Sequence, residues 1–411
     1  MNRLSAVVKN NYLGVLITVF CFQNLLQRWI PPFQYWDEFY ALAAVPLFCI
    51  WLIRRKPVSR LLIGISALLA VFLLTGLYSN IRYGYQPLRI ALIDAYLNVK
   101  FFLSIGTTII LFALYPADES RVLPVVRGIM AVFLLSFIAE MGMYLWKLIE
   151  GYPFSFGVKL FYEHPAYLGA ACAFMLCMIV GWLKDGTEKT VYVSGLLTLM
   201  MLTTRSKIVG SALLFLILYI WLVKMKRKLD FRVIAGLGVA LLAVGWNKIY
   251  FYFVYISDSA RSVLTSTGLK IAKEYFPFGT GFGTFGSYYS GLYYSPVYKI
   301  YGIDKHRELG EQTRHFISDT FWPMIAGQNG ALGLICYAGA LLLLFYLIQK
   351  IAKQNRKYYF MSLYAFLFLC VASLAESAFV NTYAVMLAVP IGIGVYRNYV
   401  LNLNMKSDKN G

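Results

Sequence analysis

The stretch PFGTGFGTFGS, residues 277–287, decides the fold. Gly281, Gly283 and Gly286 spell G-x-G-x-x-G, the spacing that lets a helix N-terminus approach a pyrophosphate in a dinucleotide-binding α/β fold. That reading requires a buried strand before the first glycine, a helix straight after the last, and an acidic residue about 20 positions on. Residues 271–280, IAKEYFPFGT, read instead as a helix end broken by Pro277, and residues 287–298, SYYSGLYYSPVY, carry two more breakers. The dinucleotide reading fails on its context. The glycines read as a tight turn that packs close to helix ends. The exposed N–H groups of such a turn, at Gly281 and Gly283, are also candidates to hold an anionic or sugar ligand.

The composition around this stretch is that of a membrane protein. Of 411 residues, 60% are hydrophobic and 14% charged, and the mean hydropathy is +0.64. Soluble domains carry about 25% charge and roughly 45–50% apolar residues. The excess lies in long apolar blocks, the pattern of an all-α polytopic membrane protein. The net charge of +19 is spread over short clusters between those blocks, without the continuous basic face that nucleic acid requires. The six cysteines lie inside apolar blocks and lack C-x-x-C spacing, so they read as small buried hydrophobes. The first block has no small-residue cleavage site and reads as a retained helix.

Twelve blocks approach the roughly 17–25 residues of a spanning helix: 12–29, 39–53, 61–78, 90–114, 123–147, 166–183, 190–205, 207–223, 233–256, 320–349, 358–375 and 379–396. The second and seventh are short, which leaves a count of ten to twelve. The fourth carries Asp94 and Lys100 and is a candidate for a broken helix. Alternate short intervals, starting with residues 1–11, hold 21 Lys and Arg, and the short intervals between them hold 7. By the positive-inside rule both termini are expected in the cytoplasm.

Residues 257–319 then form one large extracytoplasmic loop, between a first helical region (1–256) and a last (320–411). A structureless loop longer than about 12–15 residues is uncommon unless it is functional or disordered. This one holds seven Lys or Arg against six Asp or Glu, and a run of tyrosines from Tyr288 to Tyr301. Its first part, residues 262–275, has helical apolar spacing, so a short surface helix is expected, then the glycine turn, then a tyrosine-rich excursion.

Charges at the membrane edge are candidate functional groups. Arg205 and Lys207 stand in LTTRSK between two apolar blocks, and Arg261 opens the surface helix. Arginine presents a planar fork of donors suited to phosphate; the plainer reading is that these side chains snorkel to the interface. Arg314, His315 and Asp319 precede the tenth block. His315 and Asp319 share a helix face at i, i+4, and either is a candidate base for a sugar hydroxyl; a helix cap is the plainer role. His164 starts the sixth block, Arg89 joins Asp94 and Lys100 in a further polar group, and Glu376 is a weaker candidate. With three histidines and no ligand spacing, no metal site is expected.

LTTRSK, then ARSVLTSTGLKIAKEYFPFGTGFGTFGS, then SDTFWPMIAGQNGALGL, set in order among these helices, resemble the bacterial O-antigen polymerase and O-antigen ligase superfamily, nearest its polysaccharide repeat-unit polymerase branch. The resemblance implies a GT-C-like glycosyltransferase architecture in the cytoplasmic membrane. It implies sugar transfer from undecaprenyl-diphosphate-linked oligosaccharide at the outer face, with no cofactor, beside a repeat-unit flippase and a chain-length regulator. It places Arg205 and Arg261 on the donor diphosphate. Where ligases carry a histidine as base, this chain has Ser318 and Asp319, with His315 upstream, so the base stays divided between Asp319 and His315. Three functions follow as expectations: the polymerase first, the ligase that hands a finished glycan to an acceptor next, and a polysaccharide transporter third.

Overall fold

The structure, a computed structural model, describes residues 2–54, 59–116, 122–153, 156–227, 258–313, 316–352 and 355–407, with single positions (229, 233, 236, 239, 246 and 250) in between. Apart from those positions, the expected span 233–256 lies outside the described residues. The described chain forms helices and no strand. The reason is solvent: in a bilayer every backbone N–H and C=O must be satisfied internally, and a helix does so within one segment.

The helices are α1 (Asn2–Trp29), α2 (Trp36–Leu42), α3 (Ala44–Ile53), α4 (Arg60–Tyr83), α5 (Leu88–Leu114), α6 (Val122–Ile149), α7 (Pro165–Trp182), α8 (Thr187–Leu202), α9 (Ser206–Leu218), α10 (Ala260–Glu274), α11 (Tyr288–Leu292), α12 (Pro296–Ile300), α13 (Trp322–Ile351), α14 (Arg356–Ser373) and α15 (Thr382–Ser407). Seven helical stretches among the described residues are long and apolar enough to cross a membrane: Pro31–Ile53, Arg60–Tyr83, Leu88–Leu114, Val122–Ile149, Pro165–Trp182, Ser206–Lys224 and Trp322–Ile351. The chain is thus a multi-pass helical protein. The fourth expected span is not broken at its charges: α5 is continuous through Asp94 and Lys100.

Apolar residues surround α7 on all sides, and it is the centre of the bundle, with Leu168 and every residue from Ala170 to Val180 at 1% exposure or less. A helix apolar all round belongs in such a position. By contrast α4 and α6 turn large side chains outward, among them Leu74, Ile81, Leu135 and Ile149, a surface suited to lipid rather than water. Four cysteines are buried, Cys370 is half-buried, and Cys49, on α3, is exposed, contrary to its expected burial.

Local signals set the helix ends. Gly84 takes the left-handed conformation after α4 and returns its N–H to the Asn80 carbonyl at 2.9 Å. Asn355 caps α14 by accepting from the Lys357 and Tyr358 N–H groups. Ser259 caps α10, accepting from Ser262 N, so the expected surface helix is present, and it lies against the start of α13. The rest of the loop is a small folded cap with its own core of Leu264, Ile271, Phe285, Val297, Tyr298 and Leu309.

Contacts sort the connecting segments to two ends of the bundle. At one end Arg28 donates to the Phe161 carbonyl at 2.7 Å, Gln86 to the Tyr293 carbonyl at 3.0 Å, and Ser377 to the Ser318 carbonyl at 2.8 Å. At the other end Tyr12 donates to the Tyr115 carbonyl at 2.6 Å, and Arg127 pairs with Glu188 at 2.7 Å. Gln86 and Ser377 bond directly to the 258–319 segment.

Candidate functional site at the capped end of the bundle

The glycine stretch docks into a break in α13. Gly330 has φ 62° and ψ −164° inside that helix, a combination essentially confined to glycine. The backbone groups freed by the break are met by the loop: Leu332 N donates to the Pro277 carbonyl at 3.1 Å, and Thr280 N and Gly281 N donate to the carbonyls of Gly327 and Gln328 at 3.0 and 2.7 Å. The approach is close enough that a Cβ on Gly330 would stand 2.3 Å from the Pro277 oxygen.

Side chains of α4 and α5 hold the other face of the loop. Asn80 accepts from Phe282 N at 2.7 Å and donates to the Phe282 carbonyl at 2.9 Å. Asp94 accepts from Gly283 N at 2.8 Å, and Tyr298 accepts from Gly286 N at 2.8 Å. The N–H groups of Gly281 and Gly283 are therefore committed to the Gln328 carbonyl and the Asp94 carboxylate. Neither is left over for an anion or a sugar, and the ligand-holding role expected of these two glycines gives way to a structural one.

The polar group expected at Arg89, Asp94 and Lys100 also divides. Lys100 pairs with Asp37 at 2.6 Å and Glu38 at 3.4 Å, not with Asp94. Gln23 donates to the second Asp37 oxygen at 3.1 Å. Arg89 is exposed at the start of α5, beside Ile90, which packs on Gly283, and no described contact brings it to the charged cluster below.

That cluster forms where α8 meets α9, α7 begins, α13 begins and α14 ends. Arg261 reaches Asp319 at 3.2 Å, both side chains about 30% exposed. Lys207 pairs with Glu376, whose carboxylate also accepts from the buried Tyr383 hydroxyl. Ser377 bonds the carbonyls on either side of Asp319, those of Ser318 and Thr320. It thereby staples the segment after α14 to the segment before α13, and the two ion pairs become neighbours. Burial pushes the Asp319 carboxyl above its ordinary value and the Glu376 charge adds to this, while Arg261 and Lys207 oppose it.

His164 caps α7, its Nδ1 accepting from Ala166 N at 3.1 Å. Burial, then Arg205 and Lys207, hold its imidazole below its ordinary value, with Glu376 opposing them. Arg205 is exposed at the N-cap of α9, next to Thr204, which adopts φ 57°. Of the residues singled out in the sequence, His164, Arg205, Lys207, Arg261 and Asp319 thus come together. Arg314 and His315 lie outside the described residues. Glu376 is more central than its sequence position suggested, and Tyr383, which anchors it, carried no signal beyond its place in an apolar block.

The tyrosine run is mostly load-carrying framework: Tyr298 is fully buried, Tyr294 donates to the Leu309 carbonyl at 3.0 Å and Tyr301 bonds Glu274. Tyr288 and Tyr293 remain exposed. Chemically the cluster offers three cations for an anion and a half-buried carboxylate for a proton. No protein-family model matches the chain, and no curated protein matches it.

Proposed function

We propose that the chain is a glycosyltransferase that polymerises lipid-diphosphate-linked oligosaccharide repeat units, for a capsule, exopolysaccharide or O-antigen. The observation that carries this reading is the convergence of Arg205, Lys207 and Arg261 with Asp319 at one end of a membrane bundle, under a folded cap. The donor is undecaprenyl-diphosphate-linked oligosaccharide, as the sequence resemblance implies. Its apolar tail suits the lipid-facing helices and its two phosphates suit the three cations.

On this reading the chain has twelve spans in a GT-C-like arrangement within the bacterial cytoplasmic membrane, with both termini inside. The capped end, whose short loops are the cation-poor ones, faces outward on this reading. Transfer proceeds as the acceptor hydroxyl oxygen bonds to the donor's anomeric carbon. The bond from that carbon to the diphosphate oxygen breaks, its electron pair leaves with the lipid diphosphate, and the hydroxyl proton passes to Asp319. Cations aimed at the leaving oxygen stabilise the charge that develops there.

A transporter is the weaker alternative. Broken helices mark transporter sites when their free ends line a cavity, and the break in α13 is filled by the chain's own glycine loop. The ligase differs only in its acceptor. Arg205→Ala, made in protein that inserts normally into the membrane, abolishes elongation; full activity in that variant removes the diphosphate role.

A further inference from the structure

The two ion pairs of the cluster are built asymmetrically. Glu376 is held twice, by Lys207 and by the Tyr383 hydroxyl, and Tyr383 is itself fixed by burial at 3% exposure. Asp319 is held once: among the described residues Arg261 is the side chain that bonds its carboxylate. Both pairs are partly open to solvent, with side-chain exposures of 17–30%, and pairs of that kind are weak. Each carboxylate stands in front of a cation. Lysine and arginine bind phosphate more strongly than a single carboxylate because a phosphate offers more charge and more acceptor oxygens.

We propose that Asp319 and Glu376 are internal stand-ins for the donor's two phosphates, and that diphosphate binding exchanges them out, releasing Asp319 as the base only when the donor is in place. This rests on the glycosyltransferase reading and deepens it. After the exchange Arg261 and Lys207, with Arg205, hold the phosphates. Glu376 gives up Lys207 but keeps the Tyr383 hydroxyl, which holds it at the edge of the site. Asp319 gives up Arg261 in a half-buried position, where a carboxylate without that cation gains affinity for protons. The released carboxylate takes the acceptor's hydroxyl proton as that oxygen bonds to the anomeric carbon and the lipid diphosphate departs with the electron pair. Without a donor, Asp319 stays tied to Arg261 and activates nothing.

The test uses the full chain in detergent, with inorganic pyrophosphate as the probe and its dissociation constant as the readout. Asp319→Asn and Glu376→Gln each remove a competitor and tighten pyrophosphate binding about three- to fivefold. Arg261→Ala and Lys207→Ala weaken it. Glu163→Gln, at the same end and bonded to Gln27 rather than to a cation, removes an equal charge without freeing a cation and leaves the affinity unchanged. The exchange is overturned if Asp319→Asn and Glu376→Gln bind pyrophosphate no better than the parent, or if Glu163→Gln tightens binding as much as they do. Elongation of lipid-linked repeat units, measured in parallel on the parent chain, separates the two ideas. Elongation without tightening discards the exchange and keeps the glycosyltransferase. Tightening without elongation keeps the exchange at an anion site and discards the glycosyltransferase.

Discussion

Asp94 on α5 and Gly283 in the glycine stretch are joined by a 2.8 Å hydrogen bond from a fully buried backbone N–H to a carboxylate at 1% exposure. A carboxylate sits inside the bundle here to satisfy the backbone of a loop 189 positions away. The bond ties the cap over 258–319, which carries Arg261 and Asp319, to the helical scaffold.

Asp94→Leu removes that acceptor and orphans the Gly283 N–H, a loss of about 1–3 kcal/mol. Asp94→Asn retains an oxygen at the same place and is expected to keep most of the stability. Thermal unfolding of the two variants in detergent checks this: Asp94→Leu melts lower than Asp94→Asn. Equal melting of the two would detach the carboxylate from the loop.

At Gly330 the backbone itself is the constraint. A Cβ there meets the Pro277 oxygen at 2.3 Å, and the φ and ψ of the residue disfavour every L side chain. Gly330→Ala is expected to cost about 2 kcal/mol or more, read as a lower melting temperature together with faster proteolysis of the cap. Parental stability in this variant would mean that the loop does not dock into α13.

The Lys100–Asp37 pair is buried on both sides, at 3% and 0% side-chain exposure. Removing one partner leaves a buried charge, about 3–5 kcal/mol destabilising. Lys100→Met should therefore unfold more readily than the double variant Lys100→Met with Asp37→Leu, in which both charges are gone. The denaturant midpoints of the two proteins decide this; a double variant no more stable than the single one contradicts the pairing.

How much of this was legible beforehand follows from what reaches neighbouring residues and what does not. The membrane class and the all-helical, multi-pass character are local consequences of lipid solvation, and they were legible; of the twelve expected spans, seven helical stretches among the described residues are long and apolar enough to cross. The turn at 277–287 was legible too, because only glycine serves such positions. Its partner was not. The run GQNGALGL falls inside one expected span, 320–349; its Asn-Gly pair is a turn signal, yet nothing near Gly330 announces which loop fills the gap there. Asp94 and Lys100 were visible as costly charges, yet each has its partner elsewhere: Lys100 meets Asp37 63 positions away. Proximity in sequence grouped the two, although they serve separate contacts. Arg205, Lys207 and Arg261 stood out by their place at membrane edges. Glu376 did not, because its weight comes from Lys207 and Tyr383, which only the folded bundle brings to it.

Asp319 also makes a pH-dependent prediction. Its carboxyl is raised above the ordinary value, chiefly by burial and further by Glu376, and its working form is the carboxylate. Elongation measured as kcat/KM therefore rises with pH through that raised value and is lost below it. Glu376→Gln removes a charge that raises Asp319, so the acid limb moves to lower pH. An acid limb that stays in place, or moves up, contradicts the coupling of the two carboxylates.

The central claim is most directly tested by supplying the purified full chain, in lipid, with undecaprenyl-diphosphate-linked repeat units and nothing else, and sizing the lipid-linked products. The account predicts a ladder of longer lipid-linked chains without added nucleotide, and no ladder from Arg261→Ala. Repeat units that stay single in the presence of verified donor, while a separate acceptor becomes glycosylated or no sugar moves at all, would contradict it.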